Sequence, residues 1–283
     1  MTGAPLVTVG IPVRNGAPHL AAAIESVLAQ DYPHLEILIS DNASTDATAE
    51  IAATYRKRDP RIQYFRQDAV IPAFDNFMFV LERARGEFFV WVAHDDSRSP
   101  DYVSGLLAAF GGDPSTVLCF GDLFVSATPT GVGQRRAYDF ETVALGAAGR
   151  MRKAALMQCF HIYGLWRTAA LRRMRPAASS WWPDLPLMVA AAWRGGFRYV
   201  PGPRFSYYEV VKSNLERAAY QDNTGQFRHA AAVAGLFRAT YATCASVGGI
   251  GAGLLGVLFV FEKQVRHAPG FFRRALKRRL RLT

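Results

Sequence analysis

A chain of 283 residues, half of them hydrophobic and 12% aromatic, can bury a large core, which excludes a disordered protein. Its cysteines, Cys119, Cys159 and Cys244, lie far apart with no CxxC pair. That argues against a zinc site or a disulfide framework and for a reducing, cytosolic setting. The net charge is +10, but residues 262–283 supply +7 of it, so the basicity belongs to one segment and not to a nucleic-acid-binding face.

An apolar run begins at Leu6 with no basic stretch before it, so no signal peptide is expected and the bulk of the chain is placed in the cytoplasm. Leu6–Pro12 reads as a buried strand. A helix follows, with Leu20, Ala23, Ile24, Val27 and Leu28 at helical spacing and Pro18 suited to its first turn. Leu35–Ser40 reads as a second strand. The stretch after Asp41 supplies capping residues, an acidic first turn and a basic last turn, the marks of a helix. "RIQYFRQ" is a third strand, "FDNFMFVLERARG" a helix ending at Gly86, and Glu87–Ala93 a fourth strand. Strand and helix in regular alternation predict a mostly parallel sheet with helices on both faces.

Beyond Pro100 the pattern predicts a helix in "DYVSGLLAAF" and a strand in "TVLCFGDLFV". Residues 126–150 read as a loop, and "MRKAALMQCFHIYGLWRTAALRRM" as one or two helices. A helix in "LPLMVAAAWRGG" and a short strand in "FRYVPG" complete this part. Residues 239–261 carry no charge and five glycines, long enough to cross a bilayer but also compatible with a buried core helix. A single crossing would put the basic segment on the far side from the main body, against the positive-inside tendency. An interfacial or re-entrant helix is therefore expected, with "FFRRALKRRLRL" lying on an anionic leaflet.

Three loops should meet at the carboxyl edge of such a sheet: "PVRNG" after the first strand, "DNASTD" after the second and "HDD" after the fourth. The chain has neither a GxGxxG fingerprint nor a P-loop. Its residues allow another way of holding a nucleotide. Asp41 can accept from a base N–H, Arg14 can stack on a base, and Asp95 can hold ribose hydroxyls. Asp96 can take one position on a divalent cation whose shell is completed by diphosphate oxygens. Taken singly, Asp41 and Asp46 also read as turn or cap residues, and Asp95 as a helix cap.

"VTVGIPVRNGAPHLAAAIESVLAQDYPHLEILISDNASTDATAEIA" resembles the start of a family 2 glycosyltransferase of the GT-A fold. "GEFFVWVAHDDSRSPDYV" is similar to that family's metal-binding strand end, and "HIYGLWRTAAL" and "WPDLPLMVAAAWRGGFRYVP" to its later segments. The resemblance covers roughly residues 6–215 and implies transfer from a nucleotide-diphospho-sugar, usually with inversion; a UDP- or dTDP-sugar is expected because Asp41 would accept from the same N–H of either base. It implies that Pro12, Arg14, Asn15 and Asp41 contact the donor's base side and that Asn76 touches the donor. It assigns Asp95 and Asp96 to ribose, diphosphate and a Mn2+ or Mg2+ ion, and Asp184 to the general base. Trp181 and Trp182 would stack on a saccharide or lipid-linked acceptor or pack in the core. His94 and His161 read as structural.

The sequence departs from the family pattern in three places. Arg14 stands where Tyr is frequent, the DxD acids are reduced to Asp95 and Asp96 behind Ala93, and Val210, Val211 and Lys212 occupy the place of a frequent His. Lys212 can meet the diphosphate instead. The expected organisation is a GT-A domain over 1–225, with a nucleotide half to about 115 and an acceptor half after it. Residues 226–283 form a helical, membrane-associated extension. The expected setting is the cytoplasmic face of a bacterial inner membrane. Two other functions stay open: transfer to polyprenyl phosphate, and a membrane-docked sugar-nucleotide binder without catalysis.

Overall fold

The computed structural model describes residues 3–126, 133–136, 140–157, 159–174, 184–208 and 230–267. Trp181, Trp182, Lys212 and the basic segment 271–282 lie outside the described residues.

The first half follows the sequence pattern closely. Strands β1 (Val7–Val13), β2 (Leu35–Asp41), β3 (Ile62–Arg66) and β4 (Phe88–Trp91) alternate with α1 (Leu20–Leu28), α2 (Thr48–Arg58) and α3 (Ala73–Arg83). The four strands pair in parallel, in the order β3-β2-β1-β4. The chain moves outward from β1 through β2 to β3, then returns to the other side of β1 as β4. That reversal is a topological switch point, and it opens a crevice at the carboxyl ends of β1 and β4. Pro12 fits this geometry. Pairing of β1 with β4 ends at Gly10–Trp91, so the N–H that Pro12 lacks is not missed by the ladder.

The second half departs from the expected alternation. A two-residue strand β5 (Ser97–Arg98), α4 (Tyr102–Ala109), β6 (Thr116–Ser126) and β7 (Gln134–Arg136) lead to α5 (Ala147–Leu156). After a 3-10 turn at Cys159–Tyr163 come β8 (Leu165–Arg167), α6 (Thr168–Arg172), α7 (Asp184–Arg194) and β9 (Gly196–Tyr208). The full sheet order is β3-β2-β1-β4-β8-β6-β9-β5, with β7 beside β6. Strand β8 lies antiparallel to both β4 and β6, and β5 antiparallel to β9, so the sheet is mixed beyond β4. Three expectations are corrected. The loop over 126–150 contains β7 and the start of α5, the helical stretch after Met151 contains the strand β8, and β9 continues past Gly202 to Tyr208.

Period-two burial divides the core in two. Val7, Val9, Ile11, Ile37, Ile39 and Val90 face α1, α2 and α4 on one side. Leu38, Phe89 and Trp91 face α3, α5 and α7 on the other. A final element, α8 (Ala230–His267), is interrupted at Gly249, where the backbone leaves helical geometry at φ 72° and ψ −170°. Phe237 and Phe261 meet at 6.3 Å between ring centroids, and a Cβ on Gly253 would touch Tyr241. These pairs lie on opposite sides of Gly249, so α8 is an antiparallel hairpin. The hairpin packs on α5 and α7: Gly248 lies against the Trp193 ring of α7, and Lys263 donates to the Met157 carbonyl after α5.

Candidate active site

The loops after β1 and β2 are locked together. The amides of Asn15, Gly16 and Ala17 donate to Ser44 Oγ (2.9 Å), Thr48 Oγ1 (2.9 Å) and Asp46 Oδ2 (3.0 Å). In return the Thr45 amide donates to Asn15 Oδ1 at 2.9 Å. Asn15 can serve here because it tolerates the left-handed backbone it adopts, φ 50°. Gly16 brings in the third loop. A Cβ at that position would lie 2.7 Å from the His94 ring, so only glycine lets the β1 loop and the HDD loop approach this closely. The three clusters thus meet at one edge of the sheet, as the spacing predicts.

Asp96 sits at the bottom of this edge, 2% exposed. Its Oδ1 accepts from the Tyr208 amide at the end of β9, at 3.3 Å, while its Oδ2 is buried with no partner. Burial pushes its carboxyl up to about 7; nearby Arg98 pulls the other way and Asp95 adds to the rise. Asp95 is the more open of the two, with 26% of its side chain exposed. His94, 4.0 Å from Asp95, is pushed below its ordinary value by burial and is therefore a neutral ring at pH 7.

Asp184 opens α7, and burial raises its carboxyl to about 6. Tyr163 ties it to the same site. That phenol is pushed well above its ordinary value, first by burial and then by the charges of Asp96, Asp184 and Asp95. The charges of all three carboxylates therefore reach one tyrosine, although 88 residues of sequence separate Asp96 from Asp184. Arg14 is exposed on the β1 loop and has no ion-pair or hydrogen-bond partner among the described residues. It stays available to stack on a flat ring.

Two expected donor contacts look different in place. Asp41 is fully buried and accepts from the Ser44 amide (2.8 Å) and the Tyr64 hydroxyl (2.7 Å), with Arg66 3.9 Å away. A base N–H would share that carboxylate with two internal donors. Burial and then the bond to Asp41 push the Tyr64 phenol up to about 12, so it remains a donor. Asn76 is 3% exposed and clamps β2: its Oδ1 accepts from Ser40 Oγ at 2.7 Å and its Nδ2 donates to the Ser40 carbonyl at 3.0 Å. Both ends of its amide are taken up by β2.

Sequence reasoning missed Tyr64, Arg66, Tyr163 and Tyr208. Tyr64 and Arg66 carried a signal, being two residues apart on a strand and so on one face of its carboxyl end. Tyr208 carried none, because its role is played by a backbone amide.

Asp95 and Asp96 fit a divalent cation. They present hard oxygen donors, one of them a buried carboxylate oxygen that lacks a partner. Among the described residues no third His, Cys, Asp or Glu joins them, so the remaining positions would fall to diphosphate and water.

Residues 8–179 match the model of glycosyl transferase family 2. The chain belongs to this family. Curated relatives include an uncharacterized glycosyltransferase, RT0329, of Rickettsia typhi, 34% identical over 36% of this chain and 31% of its own length. The putative glycosyltransferase EpsH of Bacillus subtilis is 32% identical over 41% of this chain and 33% of its own length. The putative teichuronic acid biosynthesis glycosyltransferase TuaG of the same organism is 35% identical over 34% and 38%. The chain spans only about a third of the length of these relatives. Among solved structures, S. aureus TarS 1-349 in complex with UDP-GlcNAc superposes with a TM-score of 0.65 at 16% identity, over 93% of this chain and 72% of that one. The mannosyltransferase PcManGT of Pyrobaculum calidifontis, in complex with GDP-Man and Mn2+, superposes with a TM-score of 0.57 at 17% identity, over 99% and 81%. At these identities the likeness establishes the shared GT-A fold.

Proposed function

We propose that this family 2 chain transfers a sugar, with inversion, from a nucleoside-diphosphate sugar to an acceptor hydroxyl during synthesis of a bacterial surface polysaccharide or glycolipid. The observation that carries the reading is that the loop bearing Asp95 and the buried, half-partnered Asp96 closes onto the interlocked loops of β1 and β2, with a third acid, Asp184, at the start of α7. Two of the acids suit a cation and a diphosphate. The third, raised to about 6, suits a base that works near neutral pH. The names of EpsH and TuaG, and the nucleotide sugars bound by TarS and PcManGT, support the same class of reaction.

In this reading a uridine or thymidine ring stacks on Arg14, and Asp41 and the Asn15 loop bind the base side. Asp95 and Asp96 hold a Mn2+ or Mg2+ ion, which when bound supplies Lewis-acid stabilisation of the leaving diphosphate. Asp184 accepts the proton of the acceptor hydroxyl. That oxygen then bonds to the anomeric carbon as the bond from this carbon to the diphosphate oxygen breaks. Attack opposite the leaving group inverts the centre. Lys212, and Trp181 and Trp182, complete the proposal at the diphosphate and the acceptor. We place the protein on the cytoplasmic face of a bacterial inner membrane, held by residues 226–283.

Calorimetric titration of the protein with UDP, dTDP and GDP, with and without manganese, tests the donor site. One nucleotide is expected to bind in a metal-dependent way that Asp96→Ala abolishes. A folded protein that binds none of them sinks the reading.

A further inference from the structure

The apolar stretch 239–261 is not a straight rod. It is folded in two at Gly249, so each arm carries about eleven uncharged residues, roughly 17 Å of helix, about half the thickness of a bilayer core. A crossing helix is therefore the wrong reading of this segment. One side of the hairpin is packed on α5 and α7. The other side is bare. Ile250, Leu254, Leu258 and Phe261 are 70%, 61%, 56% and 47% exposed, and Tyr241 of the first arm is 37% exposed. The first four recur at helical spacing and so form one continuous ridge. An exposed ridge of large apolar residues on an otherwise well-buried protein marks a surface that is covered in use.

Charge says what covers it. Between residues 239 and 261 there is none. At the Phe261 end of the ridge stand exposed Arg238, Arg152 and Arg266, the last two holding Glu262 between them at 2.6 Å each. The chain continues from that same end into a segment with six further Lys or Arg between 273 and 281. An apolar ridge flanked at one end by cations fits the boundary between acyl chains and anionic headgroups.

We propose that the α8 hairpin lies in the plane of an anionic bilayer as a monotopic wedge, with Ile250, Leu254, Leu258 and Phe261 dipped below the headgroups. This deepens the membrane placement above and does not depend on the sugar chemistry. Because α7 begins with Asp184 and packs on the hairpin, the wedge would also hold the proposed base at a fixed height over the membrane, where a lipid-linked acceptor would present its hydroxyl.

Co-sedimentation with vesicles of phosphatidylglycerol and phosphatidylethanolamine tests the wedge. The parent protein is expected to bind these vesicles and to bind neutral phosphatidylcholine vesicles at least tenfold more weakly. Leu254→Glu with Leu258→Glu is expected to cut binding to the anionic vesicles at least tenfold. Leu254→Trp should show a blue-shifted emission when those vesicles are added. Nucleotide titration of each variant separates failure here from failure of the donor site. Undiminished vesicle binding by the double variant would overturn the proposal, because the basic segment alone would then be the anchor. It would equally be overturned if the parent were a dimer that the double variant splits, with no shift from Leu254→Trp on vesicles, because a second copy would then cover the ridge.

Discussion

The backbone amide of Tyr208 donates to Oδ1 of Asp96 across 112 residues of sequence, and this one bond joins the end of the last strand to the floor of the site. It leaves the other carboxylate oxygen of Asp96 buried and without a partner. A buried carboxylate so weakly compensated is costly when ionised, and that cost makes it a good place for a cation.

The cost should be visible as a pH dependence. The folded carboxyl of Asp96 is raised from an ordinary 3.8 to about 7. The folded state therefore holds this proton more tightly than the unfolded state. Its contribution to stability is greatest below about pH 4 and is lost as pH rises through about 7, by up to roughly 4 kcal/mol without a cation. Asp96→Asn should flatten this slope relative to the parent and raise the apparent Tm at pH 7.5, while removing any stabilisation by manganese with nucleotide. Thermal scans of both proteins from pH 4.5 to 8 check it. A parent and variant with parallel curves would show that Asp96 is already satisfied in the free protein.

Asp184→Asn keeps the shape of the side chain and removes the base. Turnover onto a hydroxyl acceptor should fall by about 10²–10⁴-fold. Nucleotide affinity should stay within about twofold, since Asp184 is proposed as the base and not as a contact to the donor. In the parent, activity should rise with pH through a limb near 6, where Asp184 loses its proton. Steady-state rates between pH 5 and 8 measure it. Retained turnover in Asp184→Asn would indicate an acceptor that is already an anion, such as a polyprenyl phosphate.

Asn76 separates a donor contact from a structural clamp. Both ends of its amide are bonded to Ser40 on β2. Asn76→Ala should destabilise the fold by about 1–3 kcal/mol, since it removes two buried hydrogen bonds to Ser40 and leaves the Ser40 hydroxyl only the bond it accepts from Gln67. Nucleotide affinity of the folded fraction should be unchanged. A variant of parental stability with weakened binding would return Asn76 to the donor site.

Legibility in the sequence ends where the physical signal does. β1, β2 and β4 are apolar runs whose carboxyl ends carry polar loops, so both the strands and the clustering of Asn15, Asp46 and His94 follow from pattern alone. β8 has three residues, Leu165–Arg167, set among residues that also read as helical. Only its pairing with β4 and β6 makes it a strand, and pairing is not local. β9 passes through Pro201 and Gly202, which read as its end, and is carried on by its long alignment with β6. In the site, only the family resemblance points to Asp184. The way Asn76 turns onto β2 depends on which face of α3 meets the sheet, which residue type does not reveal.

The turn at Gly249 gives the sharpest test of the hairpin, because two neighbouring glycines should respond with opposite signs. Gly249 has φ 72° and ψ −170°, a conformation that is essentially restricted to glycine. Gly249→Ala should therefore cost about 1–3 kcal/mol, a fall of roughly 2–5 °C in Tm for a chain of this size. Gly251 lies two residues on, inside the second arm, with helical backbone and open space where a Cβ would stand. There Gly251→Ala should stabilise by about 0.5–1 kcal/mol, through the ordinary helix propensity of alanine. A straight helix through this segment would make both substitutions stabilising, and it would also restore a crossing of the bilayer. Opposite signs in two thermal scans establish the fold-back, and equal signs remove both the turn and the wedge built on it.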